Sequence, residues 1–392
     1  MTVGIDLIHF ATADFYLGLD TFAQEKGTAL EKYTQGIGQE KMSIAPPDED
    51  IVTLAAKASA PILAHIDKQA ITAVLFATES GIDQSKSAGA FLHGLLGLSH
   101  RCRTIELKHA CYGGTAALQM ASALVHANPA EQILVIASDI AKYEVDSSGE
   151  ATQGCGAVAM LVKANPRILA IEPGSGYYTE DVMDFWRPNH RTTALVDGKY
   201  STKVYLNSLK QAWWHFVEQT GRTFEQIDAF CYHIPFSRMT EKAHKTLTKT
   251  VGVRLSPAAF EQQVQPGQQY NRVVGNSYSA SLFIGFCSFL DHAPHDLTHH
   301  RFGLFSYGSG CVAEFFTGVV QPGYQSVLFR QQHQEALAQR QSLSYQDYLH
   351  FYYPQIEDPD HTVFAQHNPG PYRLSAIKQS MRQYQSHTET PA

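Results

Sequence analysis

The chain has 392 residues, 44% of them hydrophobic and 17% charged, with a formal net charge of −7 that leaves 19 histidines uncounted. That length suits two domains or one large double unit, and the composition excludes disorder as the organising state. Without a long Lys/Arg run nucleic acid is not an expected partner, and no apolar run reaches the roughly 18–20 residues that span a bilayer, so a membrane is not expected either.

The N-terminus reads M-T-V-G-I-D-L-I, without the basic and apolar segments of a secretory signal. Residues 71–78 (I-T-A-V-L-F-A-T) read as a buried strand, and 103–107 as another. Ala116, Leu118, Met120, Ala121 and Leu124 recur at helical spacing, so a helix is predicted over 111–127. Residues 131–137 and 156–162 return to the strand pattern. Strands alternating with helices indicate an α/β fold with buried sheets.

The second half repeats this order loosely. Residues 227–232 sit where 71–77 sit, and 277–293 is helix-like, as is the stretch after Cys111. Residues 301–306, followed by G-S-G-C-V-A-E-F-F, echo 131–137, followed by G-C-G-A-V-A-M-L. This is a weak internal duplication. It predicts that residues ending corresponding strands meet near a pseudo-twofold axis. No linker rich in Pro, Gly or Ser separates the halves, so 165–175 is expected to be a packed junction between units 1–168 and 169–392. The tail from Gln321, rich in Gln, His and Tyr, is expected to pack as surface helix to about residue 385 and to be disordered beyond it.

Six cysteines (102, 111, 155, 231, 287 and 311) match no zinc-ligand spacing, so no metal site is expected. Free thiols in a reducing, cytoplasmic compartment are expected instead. Cys111 stands out, in K-H-A-C-Y-G-G-T-A-A between a strand and a helix. Free N–H groups and the dipole at a helix start favour a thiolate, and Gly113 and Gly114 permit close approach. A buried structural cysteine is the competing reading. Glu79 follows a buried strand in A-T-E-S-G-I-D; partly desolvated, its carboxylate acquires a raised pKa and can act as a base. His233 ends its strand in C-Y-H-I-P-F, where Pro235 fixes the turn. Asn276, in V-V-G-N-S-Y, suits a helix cap and leaves its amide free for a contact. Ser309 lies between Gly308 and Gly310 in a turn whose N–H groups can form an oxyanion hole. The duplication pairs Glu79 with His233, Cys111 with Asn276, and Gly156 with Ser309 in equivalent Gly-rich turns.

These motifs occur with Y-T-Q-G-I-G-Q-E-K-M at 33–42, S-D-I-A-K-Y at 138–143, T-Q-G-C-G-A-V-A-M-L at 152–161 and D-F-W-R-P at 184–188. V-D-G at 196–198 and G-L-F-S-Y-G-S-G at 303–310 complete the set. Over nearly its whole length the chain resembles the bacterial-type 3-hydroxy-3-methylglutaryl-CoA (HMG-CoA) synthases of the thiolase superfamily. The resemblance implies a duplicated thiolase-like fold layered αβαβα. It implies that Cys111 takes the acetyl group of acetyl-CoA and that Glu79 removes a proton from its methyl. The enolate oxygen then rests on the amides of Cys111 and Ser309, and the enolate attacks acetoacetyl-CoA held by His233 and Asn276. Water releases HMG-CoA. Coenzyme A thioesters are substrates, no cofactor is implied, and a homodimer serving the mevalonate route to isoprenoid precursors is expected.

By the same resemblance Ala29, Lys32, Arg238 and Lys242 hold the pantetheine or phosphates. Ser148, Thr152 and Ser201 line the substrate site, with Tyr143 and Asp184 as supporting polar groups. Arg238 and Lys242, four apart on a predicted helix, can face one anion. His109 departs from the family's usual acidic or neutral residue, and the likeness fades between His244 and Tyr270. Two rivals stay open. One is a synthase acting on carrier-protein-bound substrates in polyketide β-branching. The other is a ketoacyl synthase III type enzyme, which shares the Cys, His, Asn set but needs no base at Glu79. A thiolase would require a second catalytic cysteine, and the surroundings of Cys311 do not match one.

Overall fold

Continuous apolar runs, not alternating ones, build the central strands, because each is covered on both faces. The computed structural model describes residues 1–386. In chain order the main-sheet strands are β1 (Val3–Ala11), β2 (Ala73–Ala77), β3 (Arg103–Leu107), β4 (Ile133–Ala141) and β5 (Gly154–Ala164). They continue as β6 (Leu169–Thr179), β7 (Ala229–Tyr232), β8 (Arg301–Gly308) and β9 (Val312–Val320). Across the sheet the order is β7-β8-β9-β6-β1-β5-β4-β2-β3.

The helices that cover it are α1 (Ile51–Leu63), α2 (Ala88–Leu96), α3 (Gly113–Ala127), α4 (Gly198–Thr220), α5 (Arg238–Val251) and α6 (Ser281–His292). The period-two alternation of each strand sorts its side chains into separate cores. Val74 and Phe76 of β2 pack with α1 and α2, whereas Ala73 and Leu75 pack with α3 and α6. In the second half Phe302 and Leu304 of β8 join that same α3/α6 core, and Phe305 packs with α4 and α5. The two halves of the sheet thus enclose α3 and α6 between them, with α1 and α2 outside one half and α4 and α5 outside the other, the layering expected.

The repeat expected from sequence is visible in the pairing. β1 pairs antiparallel with β5, β5 antiparallel with β4, and β4 parallel with β2. Likewise β6 pairs antiparallel with β9, β9 antiparallel with β8, and β8 parallel with β7. The two sets join where Gly4 and Ile5 of β1 meet Ala170 and Leu169 of β6. Gly4 is required there, since a Cβ would overlap the Leu169 carbonyl.

Some expectations need correction. The helix predicted from residue 111 begins at Gly113, and the stretch from 277 opens with a 3-10 turn, Tyr278–Ala280, before α6. Gly156 is not in a turn equivalent to that of Ser309; it pairs with Asp139 inside β5. A Cβ there would come within 3.1 Å of Ile284, so its glycine serves close packing. β4 and β5 are joined by a long excursion, residues 142–153, whereas β8 and β9 are joined by residues 309–311 alone.

The tail begins as expected, with surface helices α7 (Arg330–Ala338) and α8 (Tyr345–Tyr352). It then departs from helix into a three-stranded antiparallel sheet, β10 (His361–Val363), β11 (Tyr372–Lys378) and β12 (Met381–Ser386). Lys378 pairs with Met381, and the two residues between them, Gln379 and Ser380, have φ of +51° and +61°. Such a two-residue turn ordinarily reads Asn-Gly or Asp-Gly. Gln-Ser gives no such signal, which is why the hairpin was not legible. The disorder expected beyond residue 385 concerns residues that, Ser386 apart, lie outside those described.

His333 anchors α7 to the core. Its Nδ1 lies 2.7 Å from Asp291 Oδ2, Tyr270 donates to that same oxygen at 2.7 Å, and all three side chains are buried. Deleting the imidazole leaves a buried carboxylate short of a partner. We expect His333→Ala to cost about 2–3 kcal/mol, read as a lower urea midpoint. The six cysteines are unpaired. Among the described residues no helix is long and apolar enough to cross a membrane.

Candidate active site

Because β2 runs parallel to β4 and β7 parallel to β8, the loops leaving their carboxyl ends converge from the two halves. β2 leads to Glu79, β7 to His233 and β8 to Ser309. Cys111 sits on the turn between β3 and α3. The preceding Ala110 adopts φ +42°, a left-handed conformation that costs a non-glycine residue about 1–2 kcal/mol. Gly114 lets α3 close on the segment leading into α6: a Cβ there would lie 2.8 Å from the Ser279 carbonyl and 3.1 Å from the Phe283 ring. This draws Cys111 towards residues 276–279.

The Cys111 Sγ lies 3.5 Å from Glu79 Oε1. Behind them Asp139, fully buried near the end of β4, organises the loop. One carboxylate oxygen accepts from Thr78 Oγ1 at 2.8 Å, Glu79 N at 2.8 Å, Ser80 N at 3.0 Å and Ser80 Oγ at 2.8 Å. The other accepts from Ser279 N at 3.0 Å and from the Ser279 hydroxyl, tying this loop to the α6 segment. The Arg187 guanidinium donates to the Glu79 carbonyl.

Burial, and after it the charge of Asp139, holds the Glu79 carboxyl up at about 8. The desolvation expected from sequence is therefore present. The thiolate expected at Cys111 is not. Burial, and then the charge of Glu79, pushes the thiol well above its usual range. Sγ precedes the first helical residue and faces carboxylates in a water-poor place, which outweighs the helix dipole. Cys111 therefore rests as a thiol.

His233 is buried, and burial lowers its imidazole to about 3, so the ring is neutral. Its amide donates to the Phe305 carbonyl at 2.7 Å, and Tyr205 OH donates to its carbonyl at 2.9 Å. Asn276 is not the cap expected, since Ser277 holds the N-cap position of the 3-10 turn, but its Oδ1 accepts from Tyr278 N at 2.9 Å and its side chain meets the Tyr143 hydroxyl. The Ser309 turn is pinned by Asp184, which accepts from Tyr307 OH at 2.6 Å, Gly310 N at 2.9 Å and Ser201 Oγ at 2.9 Å.

One pocket brings together Cys111, Tyr143, Ser148, Thr152, Ser201, His233, Asn276 and Ser309. Glu79 lies behind Cys111, and Asp184 behind Ser201 and the Ser309 turn. Tyr143, Phe185 and Tyr278 surround the sulfur side with ring centroids 5.7–6.4 Å apart. Ala29 is exposed, and Lys32 lines an adjoining groove that shares Ser148 with the pocket. Arg238 binds Glu241 at 2.6 Å and the Gln35 carbonyl at 2.8 Å, while exposed Lys242 lies over the Phe236 ring. His109 packs against Gly308 and Gly310, and burial lowers its imidazole. No group of three or more His, Cys, Asp or Glu side chains among the described residues is placed to hold a metal ion.

Sequence reasoning missed Asp139, Arg187, Phe185, Tyr205, Tyr278 and Ser281. A carboxylate inside the otherwise apolar run I-L-V-I-A-S-D-I-A was itself a signal. Arg187 and Phe185 lie in the D-F-W-R-P motif.

Comparison with known proteins now bears on this geometry. The family description "Hydroxymethylglutaryl-coenzyme A synthase N terminal" matches residues 2–167, and the C-terminal counterpart matches 169–251 and 243–353. The chain is 40% identical over 391 residues to a hydroxymethylglutaryl-CoA synthase from Enterococcus faecalis, covering 98% of this chain and 100% of that protein. It is 34% identical to the polyketide 3-hydroxy-3-methylglutaryl-ACP synthase PksG of Bacillus subtilis (strain 168), over 82% of this chain and 81% of that one. A crystal structure of an HMG-CoA synthase complexed with CoA superposes with a TM-score of 0.93 at 37% identity, covering 98% of this chain and 100% of that chain. On these matches, and on the fold that carries them, the chain belongs to the hydroxymethylglutaryl-coenzyme A synthase family.

Proposed function

We propose that the protein condenses acetyl-CoA with acetoacetyl-CoA and water to give HMG-CoA and CoA, through an acetyl-Cys111 intermediate. The observation that carries this reading is the Cys111–Glu79 pair, Sγ to Oε1 at 3.5 Å, with Cys111 on the pocket wall it shares with His233 and Asn276. A nucleophile with a base beside it, facing a neutral donor, is what two successive carbonyl reactions require.

Cys111 attacks the acetyl thioester, its proton leaves with the CoA thiol, and a new thioester forms. Glu79 then removes a proton from the acetyl methyl. The enolate oxygen is received by the amides of Cys111 and Ser309. Their chain neighbours are already engaged, Tyr112 N with the His109 carbonyl at 3.1 Å and Gly310 N with Asp184 at 2.9 Å. The enolate carbon bonds to the ketone carbon of acetoacetyl-CoA, whose oxygen, held by His233 with Asn276, takes up the proton that Glu79 removed and becomes the tertiary hydroxyl. Water cleaves the Cys111 thioester and frees the product. No cofactor enters these steps. Ala29, Lys32, Arg238 and Lys242 mark the rim by which the thioester carrier approaches.

A base works ionised, and Glu79 is held at about 8. Condensation should therefore rise with pH through that value and fall away below it. Asp139→Asn, which removes the charge that helps hold Glu79 up, should move this limb to lower pH in single-turnover condensation of the acetylated enzyme.

Purified protein, given acetyl-CoA and either acetoacetyl-CoA or the acetoacetyl form of an acyl-carrier protein, tests the whole reading. HMG-CoA from the free thioester supports it. Turnover of the carrier-bound acceptor alone assigns the enzyme to polyketide β-branching instead. A place in isoprenoid precursor synthesis and in a reducing cytoplasm accompanies the free-CoA reading. A homodimer is supported by β3, which ends the sheet with Ile105 53% exposed.

A further inference from the structure

We propose that Ser281 is a positioning residue that fixes His233 in the tautomer carrying its proton on Nε2, so that the ring meets the acceptor carbonyl as a hydrogen-bond donor. The inference deepens the condensation reading above and rests on it for its catalytic consequence, though not for the tautomer itself.

Ser281 opens α6, and its hydroxyl lies 2.7 Å from His233 Nδ1. That same oxygen accepts from the Ile234 amide at 3.2 Å. Ser281 is 0% exposed, so water does not complete its hydrogen bonding. A hydroxyl has one hydrogen to give. If Nδ1 also carried a proton, both neighbours of the Ser281 oxygen would be donors, and its hydrogen would be buried without an acceptor. An orphaned buried donor is costly, and that cost disfavours the Nδ1-protonated ring. The hydroxyl hydrogen therefore points to Nδ1, and the ring proton resides on Nε2. With Nδ1 engaged, the Nε2 edge is the part of His233 left to face the pocket it lines with Cys111 and Asn276.

The backbone reinforces this geometry. The His233 amide is held by the Phe305 carbonyl at 2.7 Å and its carbonyl by Tyr205 OH at 2.9 Å. Asn271 Nδ2 donates to the Ser281 carbonyl at 3.2 Å, fixing the first turn of α6. The ring cannot turn to exchange its nitrogens without breaking the Ser281 bond. Acetylation of Cys111 needs no donor from His233, whereas the ketone oxygen of the acceptor gains charge during condensation and does.

Ring-nitrogen NMR of the full chain labelled with ¹⁵N-histidine tests this without substrate, the His233 signals being identified by their loss in His233→Asn. At neutral pH we expect a protonated Nε2 and an unprotonated Nδ1. A proton found on Nδ1 in the unsubstituted protein overturns the proposal. Ser281→Ala should mix the tautomers and slow HMG-CoA formation by at least about tenfold, the scale of one lost hydrogen bond. Acetylation of Cys111 by acetyl-CoA should change less than about twofold, and Ser281→Thr, which keeps the hydroxyl, should recover condensation. Equal losses in both half-reactions would mark Ser281 as merely structural and overturn its positioning role, as would an unchanged condensation rate in Ser281→Ala. Because the ring spectrum is read in the absence of thioesters, it decides the tautomer even for a protein that made no HMG-CoA.

Discussion

Incubated with acetyl-CoA and weighed intact, the protein should gain one acetyl group, and Cys111→Ala should gain none. Six cysteines are available, but only Cys111 combines a place on the pocket wall with a carboxylate at 3.5 Å. Cys155, Cys231 and Cys287 are enclosed in apolar cores, where burial pushes each thiol up, and none of them lines the pocket. Turnover should fall on the order of a million-fold, the scale on which enzymes lose activity when a covalent nucleophile is removed. An adduct that persisted in Cys111→Ala would place the nucleophile elsewhere and dissolve the mechanism. Acetylation should also be slow at neutral pH and quicken as pH rises, because the thiol is held above its usual range.

Glu79→Ala should separate the two halves of the reaction. The carboxylate raises the Cys111 thiol through its charge, so its loss should ease formation of the thiolate. The acetyl adduct should therefore still form. Condensation should drop by about 10²–10⁴-fold, the usual contribution of a positioned general base. Mass spectrometry of the stalled enzyme would show acetyl-Cys111 accumulating in the presence of acetoacetyl-CoA. Normal product formation by this variant would remove Glu79 from the base role and return the ketoacyl synthase III reading to contention.

How much of this was legible in the sequence depended on the kind of signal. The buried strands announced themselves as apolar runs, and the order of elements in the two halves exposed the duplication. That duplication brought Glu79, Cys111, His233, Asn276 and Ser309 to one region, because it fixes which strand ends share an edge. What it did not disclose was the supporting layer. Asp139 and Asp184 act through backbone amides far away in sequence, and neither spacing nor composition reports such contacts. The state of Cys111 was misjudged for the same reason. Its helix start is local and visible, whereas the carboxylates that oppose a thiolate arrive from other elements. Arg238 and Lys242 share a helix face in sequence, yet Glu241 and the Gln35 carbonyl claim the guanidinium.

The C-terminal helix α8 carries none of the residues proposed for chemistry, but it touches the pocket through the excursion between β4 and β5. Tyr348 donates to Glu150 at 3.0 Å and accepts from Gln153 at 3.0 Å, Lys142 donates to the Tyr352 carbonyl at 2.7 Å, and the Tyr352 hydroxyl donates to the Tyr143 carbonyl. Residues 142–153 thus owe their shape to a part of the chain synthesised some two hundred residues later. During synthesis the sheet ends and Cys111 would be in place before the wall that carries Tyr143, Ser148 and Thr152 could close. A nascent chain still lacking α8 would carry Cys111 without the enclosure that selects its substrate, and a late-made segment would be the one that turns a foldable scaffold into a discriminating one.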